Sequence, residues 1–326
     1  MEENSRLLSR RSFMAHSAVG SALLAAGMKV AGAGGATRKK ALVVDEPSAD
    51  TLEAVAQAGF DGIETRAADV SPDKAARARK RAEDLGVRIH SVMRGWMNFN
   101  SRDEAEVEAS KEKVKRALRA ADAYGADALL VVPCRVGGME MPAPWEFDVS
   151  FDPDTLEVQR VADGDNEPYR DYIEVQNRAT RATREAITTL IPAARQAGVV
   201  IALENVWNNL WVTPDLFAAY VDSYDSEWVQ AYFDIGNHVK YARPQDYVRA
   251  LGSLIEKVHV KDFQLNPDGR GGEFVPICDG SVDYAAVMKA LDEVGYRDFM
   301  TIEGRRGLSL DQLSGRLDTI LAGEGC

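Results

Sequence analysis

Between residues 41 and 321, short apolar runs alternate eight times with helix-like segments, and no other feature constrains the fold as tightly. The runs fall at residues 41–44, 62–64, 87–92, 128–132, 199–204, 231–234, 255–260 and 299–303. They are apolar almost throughout rather than alternating, as expected of parallel strands covered by helices on both faces. Eight strand–helix units in roughly 285 residues predict a (β/α)8 TIM barrel, whose usual length is about 250 residues. One stretch breaks the rhythm. Residues 136–168 are rich in Pro, Gly and Asp, yet Trp145–Phe151 alternates strictly and Leu156–Val161 nearly so. Around Asp152-Pro153-Asp154 these predict a β-hairpin inserted after the fourth strand.

Residues 1–40 stand apart from the barrel assigned to 41–326. Arg10-Arg11 within Ser9–Met14 is a twin-arginine motif, followed by an apolar run to Met28 and a small-residue cleavage site at Ala31-Gly32-Ala33. The run is too short and too interrupted to span a bilayer, so export to the periplasm is expected, with no membrane partner afterwards. The formal charge is −12, and seven of the 39 basic residues lie in that leader. So acidic a barrel argues against nucleic acid as a partner. Cys134, Cys278 and Cys326 are odd in number and scattered, which predicts neither a disulfide framework nor a zinc site.

Barrels of this kind carry their chemistry at the carboxyl ends of the strands. There the sequence offers Glu64, His90, Glu204, Asp234, His259 and Glu303, the last four on consecutive strands. Three converging carboxylates would repel one another and take up protons when buried. A divalent cation removes that conflict. Oxygen donors with one imidazole suit Mn²⁺, with Mg²⁺, Co²⁺ or Zn²⁺ as alternatives.

Leu203-Glu204-Asn205, Phe233-Asp234-Ile235-Gly236-Asn237, Val258-His259-Val260-Lys261-Asp262 and Thr301-Ile302-Glu303 resemble the metal-site motifs of the sugar phosphate isomerase/epimerase group of xylose-isomerase-like TIM barrels. The resemblance implies one divalent metal held by Glu204, Asp234, His259 and Glu303, with Glu204 and Glu303 also acting as acid and base. It implies an isomerase or epimerase that moves a proton beside a carbonyl through an enediolate. A keto-inositol-type dehydratase and a non-catalytic sugar-binding barrel are the alternatives.

Around this set, His90, His238 and Lys261 are expected either to contact substrate or to be satisfied structurally. Trp207 is a candidate apolar wall, and Glu64 a candidate hydroxyl acceptor. Arg270, between two glycines, is expected on a mobile, solvent-exposed loop. The expected small-molecule partner is an unphosphorylated sugar or polyol, and the inserted hairpin is placed to serve as a lid or a contact in a homo-oligomer.

Overall fold

The computed structural model describes residues 38–326. The twin-arginine segment lies outside them. The elements are, in order, β1 (Lys39–Val44), α1 (Ala49–Gln57), β2 (Gly62–Thr65), α2 (Pro72–Asp84), β3 (Arg88–Trp96), α3 (Glu104–Tyr124) and β4 (Ala128–Val132). The inserted strands β5 (Phe147–Phe151) and β6 (Val158–Ala162) come next, then α4 (Arg170–Thr188), α5 (Ile191–Ala197), β7 (Val200–Glu204), α6 (Pro214–Asp222), β8 (Val229–Asp234) and α7 (Pro244–Leu251). β9 (Ile255–Val260), β10 (Asp262–Leu265), β11 (Gly272–Val275), α8 (Tyr284–Glu293), β12 (Phe299–Ile302) and α9 (Leu310–Leu321) complete the chain.

Eight strands close into a parallel barrel in the order β1-β12-β9-β8-β7-β4-β3-β2. This is the (β/α)8 TIM barrel read from the alternation. The first three helices begin where the sequence places a cap: Ser48 accepts from the Thr51 amide, Ser71 from Lys74 and Asp103 from Ala105. Gly125 and Gly198 end α3 and α5 in the left-handed conformation that costs glycine least. Buried strand residues such as Leu42, Ile63, Leu129, Ile201 and Val258 each contribute about 1.5–3 kcal/mol by leaving water.

Several boundaries differ from the sequence expectation. The single helix expected to kink at Pro192 is two helices, broken at Thr189–Leu190, with the proline in the first turn of the second. β3 runs on to Trp96 with a register shift near Met93, so His90 lies inside the strand rather than at its end. β5 and β6 pair antiparallel as the expected hairpin. The stretch read as a mobile loop after the seventh barrel strand is a second hairpin, β10–β11, with Arg270 in its turn. A disulfide was not expected, yet Cys278 and Cys326 are bonded across 48 residues, because the fold brings their Cα atoms to 5.0 Å. Cys134 stays free and buried.

At the amino-terminal end, the buried Lys257 ammonium meets Asp127 at 2.8 Å, Glu256 at 3.6 Å and the Asp298 carboxylate. Burial works against its charge, but the three carboxylates outweigh that and raise its pKa. Lys257→Met leaves them facing one another without a cation. We expect a loss of about 2–3 kcal/mol, discounted for their partial exposure, in the urea unfolding free energy.

Candidate metal centre

Four residues on the adjacent strands β7, β8, β9 and β12 meet at the carboxyl end of the barrel. Asp234 stands beside His259 in register, and the Glu303 amide donates to the Val260 carbonyl, placing Glu303 one residue past the end of β12. One ligand atom from each of Glu204, Asp234, His259 and Glu303 lies within 4.8 Å of the others. In strand order, the two glutamates flank the Asp234–His259 pair from opposite sides.

The Asp-Ile-Gly-Asn sequence explains how Asp234 is aimed. Its Oδ1 accepts the Gly236 and Asn237 amides at 2.8 and 2.7 Å, a local Asx turn that leaves Oδ2 pointing inward. Gly236 is required for packing, since a Cβ there would lie 2.7 Å from the Lys261 carbonyl oxygen. Asn205, next to Glu204, bridges strands by donating to the Asp234 carbonyl at 2.8 Å and accepting its amide at 2.6 Å. The Asn237 amide reaches Glu204 Oε1 at 3.3 Å and the Asn205 carbonyl at 3.0 Å. These two asparagines belong to the quoted motifs, but residue type alone assigns them no separate role.

His259 Nδ1 faces Glu204 Oε1 at 3.4 Å and Asp234 and Glu303 oxygens at 3.8 Å. Its Nε2 is 2.6 Å from Glu64 Oε2. An imidazole whose outer nitrogen donates to a carboxylate presents its inner nitrogen in a fixed orientation, the arrangement typical of metal-ligating histidines. Lys261 reaches Asp234 Oδ2 at 3.3 Å, Asn237 Oδ1 at 3.1 Å and the Glu303 carboxylate.

Burial raises the Glu204 pKa to about 7, helped by Glu303, and raises Asp234 as well. Burial opposes ionisation of Glu303 too, but His259, Lys261 and Arg66 outweigh it and hold its carboxyl down to about 2. His259 is itself buried, and Glu64 and Glu204 overcome that to raise its pKa. Asp234 Oδ2 is buried and faces the Lys261 ammonium at 3.3 Å without a well-aligned hydrogen bond. Three carboxylates and one imidazole nitrogen converging within 4.8 Å fit a small divalent cation bound by oxygen and nitrogen.

Three residues expected at the substrate lie elsewhere. Glu64 is fully buried, with Oε1 accepting from Ser91 at 2.8 Å and Oε2 on His259, so it orients the cluster rather than meeting a hydroxyl. His90 is stacked on Phe299 at 4.2 Å, with Nε2 at 3.0 Å from Thr301, below the cluster in the barrel interior. His238 is closed off because Nδ1 meets the Tyr247 hydroxyl at 3.2 Å and Nε2 the Val206 carbonyl at 3.0 Å. Lys261 sits within the cluster, where it is satisfied by salt bridges to Glu303 and Asp234. Trp207 is half-buried, its indole donates to the Asn237 carbonyl, and its rings lie 5.8 Å from Phe263 and 4.8 Å from Phe274. A depression of about 680 Å³ adjoins the Glu303 side, bordered by Asp45, Arg66 and Arg305.

The fold and this cluster define a barrel with a candidate metal centre. The chain belongs to the xylose isomerase-like TIM barrel family, which it matches over residues 52–313. The Escherichia coli (strain K12) protein SgbU, provisionally assigned as an L-ribulose-5-phosphate 3-epimerase, is 24% identical over 282 residues, 81% of this chain and 86% of SgbU. The uncharacterised protein MJ1311 of Methanocaldococcus jannaschii is 28% identical over 123 residues, 36% of this chain and 41% of its own length. The chain therefore spans less than half of that relative.

Among solved structures, a D-tagatose 3-epimerase-like protein superposes with a TM-score of 0.65 at 19% identity, covering 87% of this chain and 97% of its own. The D-allulose 3-epimerase of Methylomonas sp., in complex with D-allulose, gives 0.63 at 18%, covering 87% and 96%. The IolI protein with a bound zinc atom gives 0.64 at 17%, covering 86% and 96%. These are likenesses of fold.

His238 yields a test of the site's support. Burial lowers its pKa to about 4. Below about pH 6.5 the unfolded chain takes a proton that the folded His238 refuses. Its contribution is therefore complete above that pH and is lost as the pH falls toward 4. The stability gap between the native protein and His238→Gln is expected to narrow by about 3 kcal/mol from pH 7 to pH 4, read from urea midpoints at each pH.

Proposed function

We propose that the protein is a divalent-metal-dependent sugar isomerase or epimerase that moves a proton next to a carbonyl. The observation that carries this reading is the placement of Glu204 and Glu303 on opposite sides of the Asp234–His259 pair, with all four ligand atoms within 4.8 Å. Glu204, Asp234, His259 and Glu303 would hold the ion, with Mn²⁺ the best match to the donor set. When bound, the ion supplies Lewis-acid polarisation of a carbonyl oxygen.

The side chains do the rest. One glutamate takes the proton from the carbon beside the carbonyl, and the electron pair moves onto the carbonyl oxygen to give an enediolate. The other glutamate returns a proton. Delivery to the opposite face of the same carbon inverts it, and delivery to the former carbonyl carbon, with the neighbouring hydroxyl proton passing to the former carbonyl oxygen, exchanges aldose for ketose. Each positioned group typically contributes 10²–10⁴-fold. Exchange with water resets both carboxyls, so solvent protons enter the sugar. Trp207 and Phe274 shield the cluster on one side, and Lys261, held by Asn237, steadies Glu303 between turnovers.

We also infer export through the twin-arginine motif at Arg10-Arg11 to the periplasm. The Cys278–Cys326 disulfide supports this reading, because such bonds persist in oxidising compartments. Recovery from culture fractions of a protein still beginning at Met1 would count against processing.

Glu204→Gln and Glu303→Gln are each expected to reduce solvent-deuterium incorporation into a keto sugar by at least about a hundredfold, followed by mass spectrometry. Full incorporation by either variant removes that residue from the base role, and loss of water from the sugar points to a dehydratase instead. Glu64→Gln is expected to weaken Mn²⁺ binding about 10–100-fold in calorimetry. Unchanged binding would show that Glu64 does not orient His259.

A further inference from the structure

A (β/α)8 barrel ordinarily fills its interior with branched apolar side chains. Here part of that interior is polar. Glu64, His90, Ser91, Tyr232 and Thr301 are all fully buried, and Lys257, toward the amino-terminal end, is 1% exposed. Strand register gathers them, since Thr301 lies beside His259 on the neighbouring strand and Ser91 beside Glu64. β3 also bulges against β2: Ile63 pairs with Ile89 but Glu64 with Ser91, which makes His90 the extra residue. An extra residue breaks the usual alternation of faces, so the adjacent His90 and Ser91 both find partners inside the barrel.

This polar group touches the metal centre through Glu64 and Tyr232. Ser91 donates to Glu64 Oε1 at 2.8 Å, and Glu64 Oε2 is 2.6 Å from His259 Nε2. The Tyr232 ring centre lies 4.3 Å from that of His259. Its hydroxyl sits among Ser91, Thr301 and Glu64 without a well-aligned hydrogen bond. Thr301 Oγ1 is 3.0 Å from His90 Nε2, and His90 Nδ1 has no hydrogen-bond partner. Leaving a buried hydroxyl unpaired costs about 1–3 kcal/mol, so a slight turn that pairs Tyr232 with its neighbours is favoured.

Donor and acceptor capacity then gives these groups one direction. A carboxylate only accepts, so the Ser91 hydrogen is committed to Glu64 and the Ser91 oxygen is left to accept. The Tyr232 O–H is the donor beside it. The phenol oxygen accepts in turn from Thr301, whose own oxygen is left to accept from a His90 Nε2–H. Burial, with Lys257 and Arg88 nearby, holds the His90 pKa well below its usual range, so the ring is neutral and carries a single N–H.

We propose that His90, Thr301, Tyr232 and Ser91 form a one-way chain of hydrogen bonds ending on Glu64, in which Tyr232 is a positioning residue that holds the Glu64–His259 pair and so aims the inner nitrogen of His259. A fully paired buried network of this kind is rigid, and one missing hydroxyl loosens every member beyond it. The proposal rests on the metal-centre reading only for what His259 Nδ1 meets.

The test joins nitrogen-15 NMR of the histidine rings, on full-length protein stripped of metal at pH 7, to calorimetric titration with Mn²⁺. In the native protein His90 is expected to carry its proton on Nε2. Tyr232→Phe keeps the ring against His259 and removes only the hydroxyl. The Thr301 hydrogen then turns to His90, and the His90 proton is expected to move to Nδ1 in a large share of molecules. The Kd for Mn²⁺ is expected to rise roughly three- to tenfold, less than on losing a direct partner of the ligand. Should Tyr232→Phe not fold, Ser91→Ala is expected to weaken Mn²⁺ binding in the same way and Ser91→Thr to restore it. A native His90 protonated on Nδ1, or a Tyr232→Phe variant with an unchanged tautomer or an unchanged Kd, would overturn the proposal, as would full-strength binding by Ser91→Ala. The expected tautomers in a protein that binds no Mn²⁺ would keep the chain and remove the metal reading, whereas tight Mn²⁺ binding with His90 protonated on Nδ1 would do the reverse.

Discussion

The contact between Glu64 and His259 is the constraint on which the site's geometry depends. Both groups are fully buried and 2.6 Å apart, and Ser91 occupies the other oxygen of Glu64. A buried carboxylate is costly without a partner, and a buried imidazole free to turn would offer its two nitrogens indifferently. Their pairing settles both difficulties by directing Nδ1 toward Glu204, Asp234 and Glu303. Strand neighbours do the remaining alignment: Asn205 ties β7 to β8, and the turn after Asp234 spends one of its oxygens on backbone amides. The carboxylates meet because the barrel's register brings them together, and the closeness is tolerated because His259 and Lys261 place positive charge among them.

Much of this was legible in the chain. Parallel strands buried on both faces leave a plain apolar signal, and a carboxylate or imidazole ending such a run marks the carboxyl rim, as at Glu204, Asp234 and His259. The illegible parts have physical reasons. His90 seemed to end its strand because apolar character fades after Val92, whereas hydrogen bonding carries β3 on to Trp96 through a register shift. Glu64 and His238 looked available because residue type does not disclose a partner 195 positions away, as with Glu64 and His259, or a backbone carbonyl, as with His238 and Val206. The β10–β11 hairpin was missed because Pro267, Gly269 and Gly271 outweighed two short strands. The pairing of Cys278 with Cys326 depends on how α9 returns to the seventh βα connection, which spacing alone does not encode.

The two hairpins do different work around a common scaffold. β10–β11 brings Phe274 against Trp207. β5–β6 packs Phe147 edge-on against Tyr172 and Tyr241, joining the insertion to the start of α4 and to the loop after β8. Asp262 anchors the segment between them and α8 by accepting the Phe263, Cys278, Gly280 and Val282 amides, and a Cβ at residue 280 would lie 2.1 Å from its Oδ1. Variation in either hairpin would alter what reaches the cluster while leaving the strand ends in place.

The sulfur bridge from Cys278 to Cys326 encloses α8, β12 and α9 in a covalent ring of 48 residues' separation. On a chain-entropy view, closing a ring of that size removes about 4 kcal/mol worth of disorder from the unfolded ensemble. The ring contains the strand beside which the barrel closes on β1, where a cylinder made from one chain is most prone to gape. Opening at that seam would carry Glu303 away from its companions, so the tether makes the last stave to arrive also one of the hardest to lose.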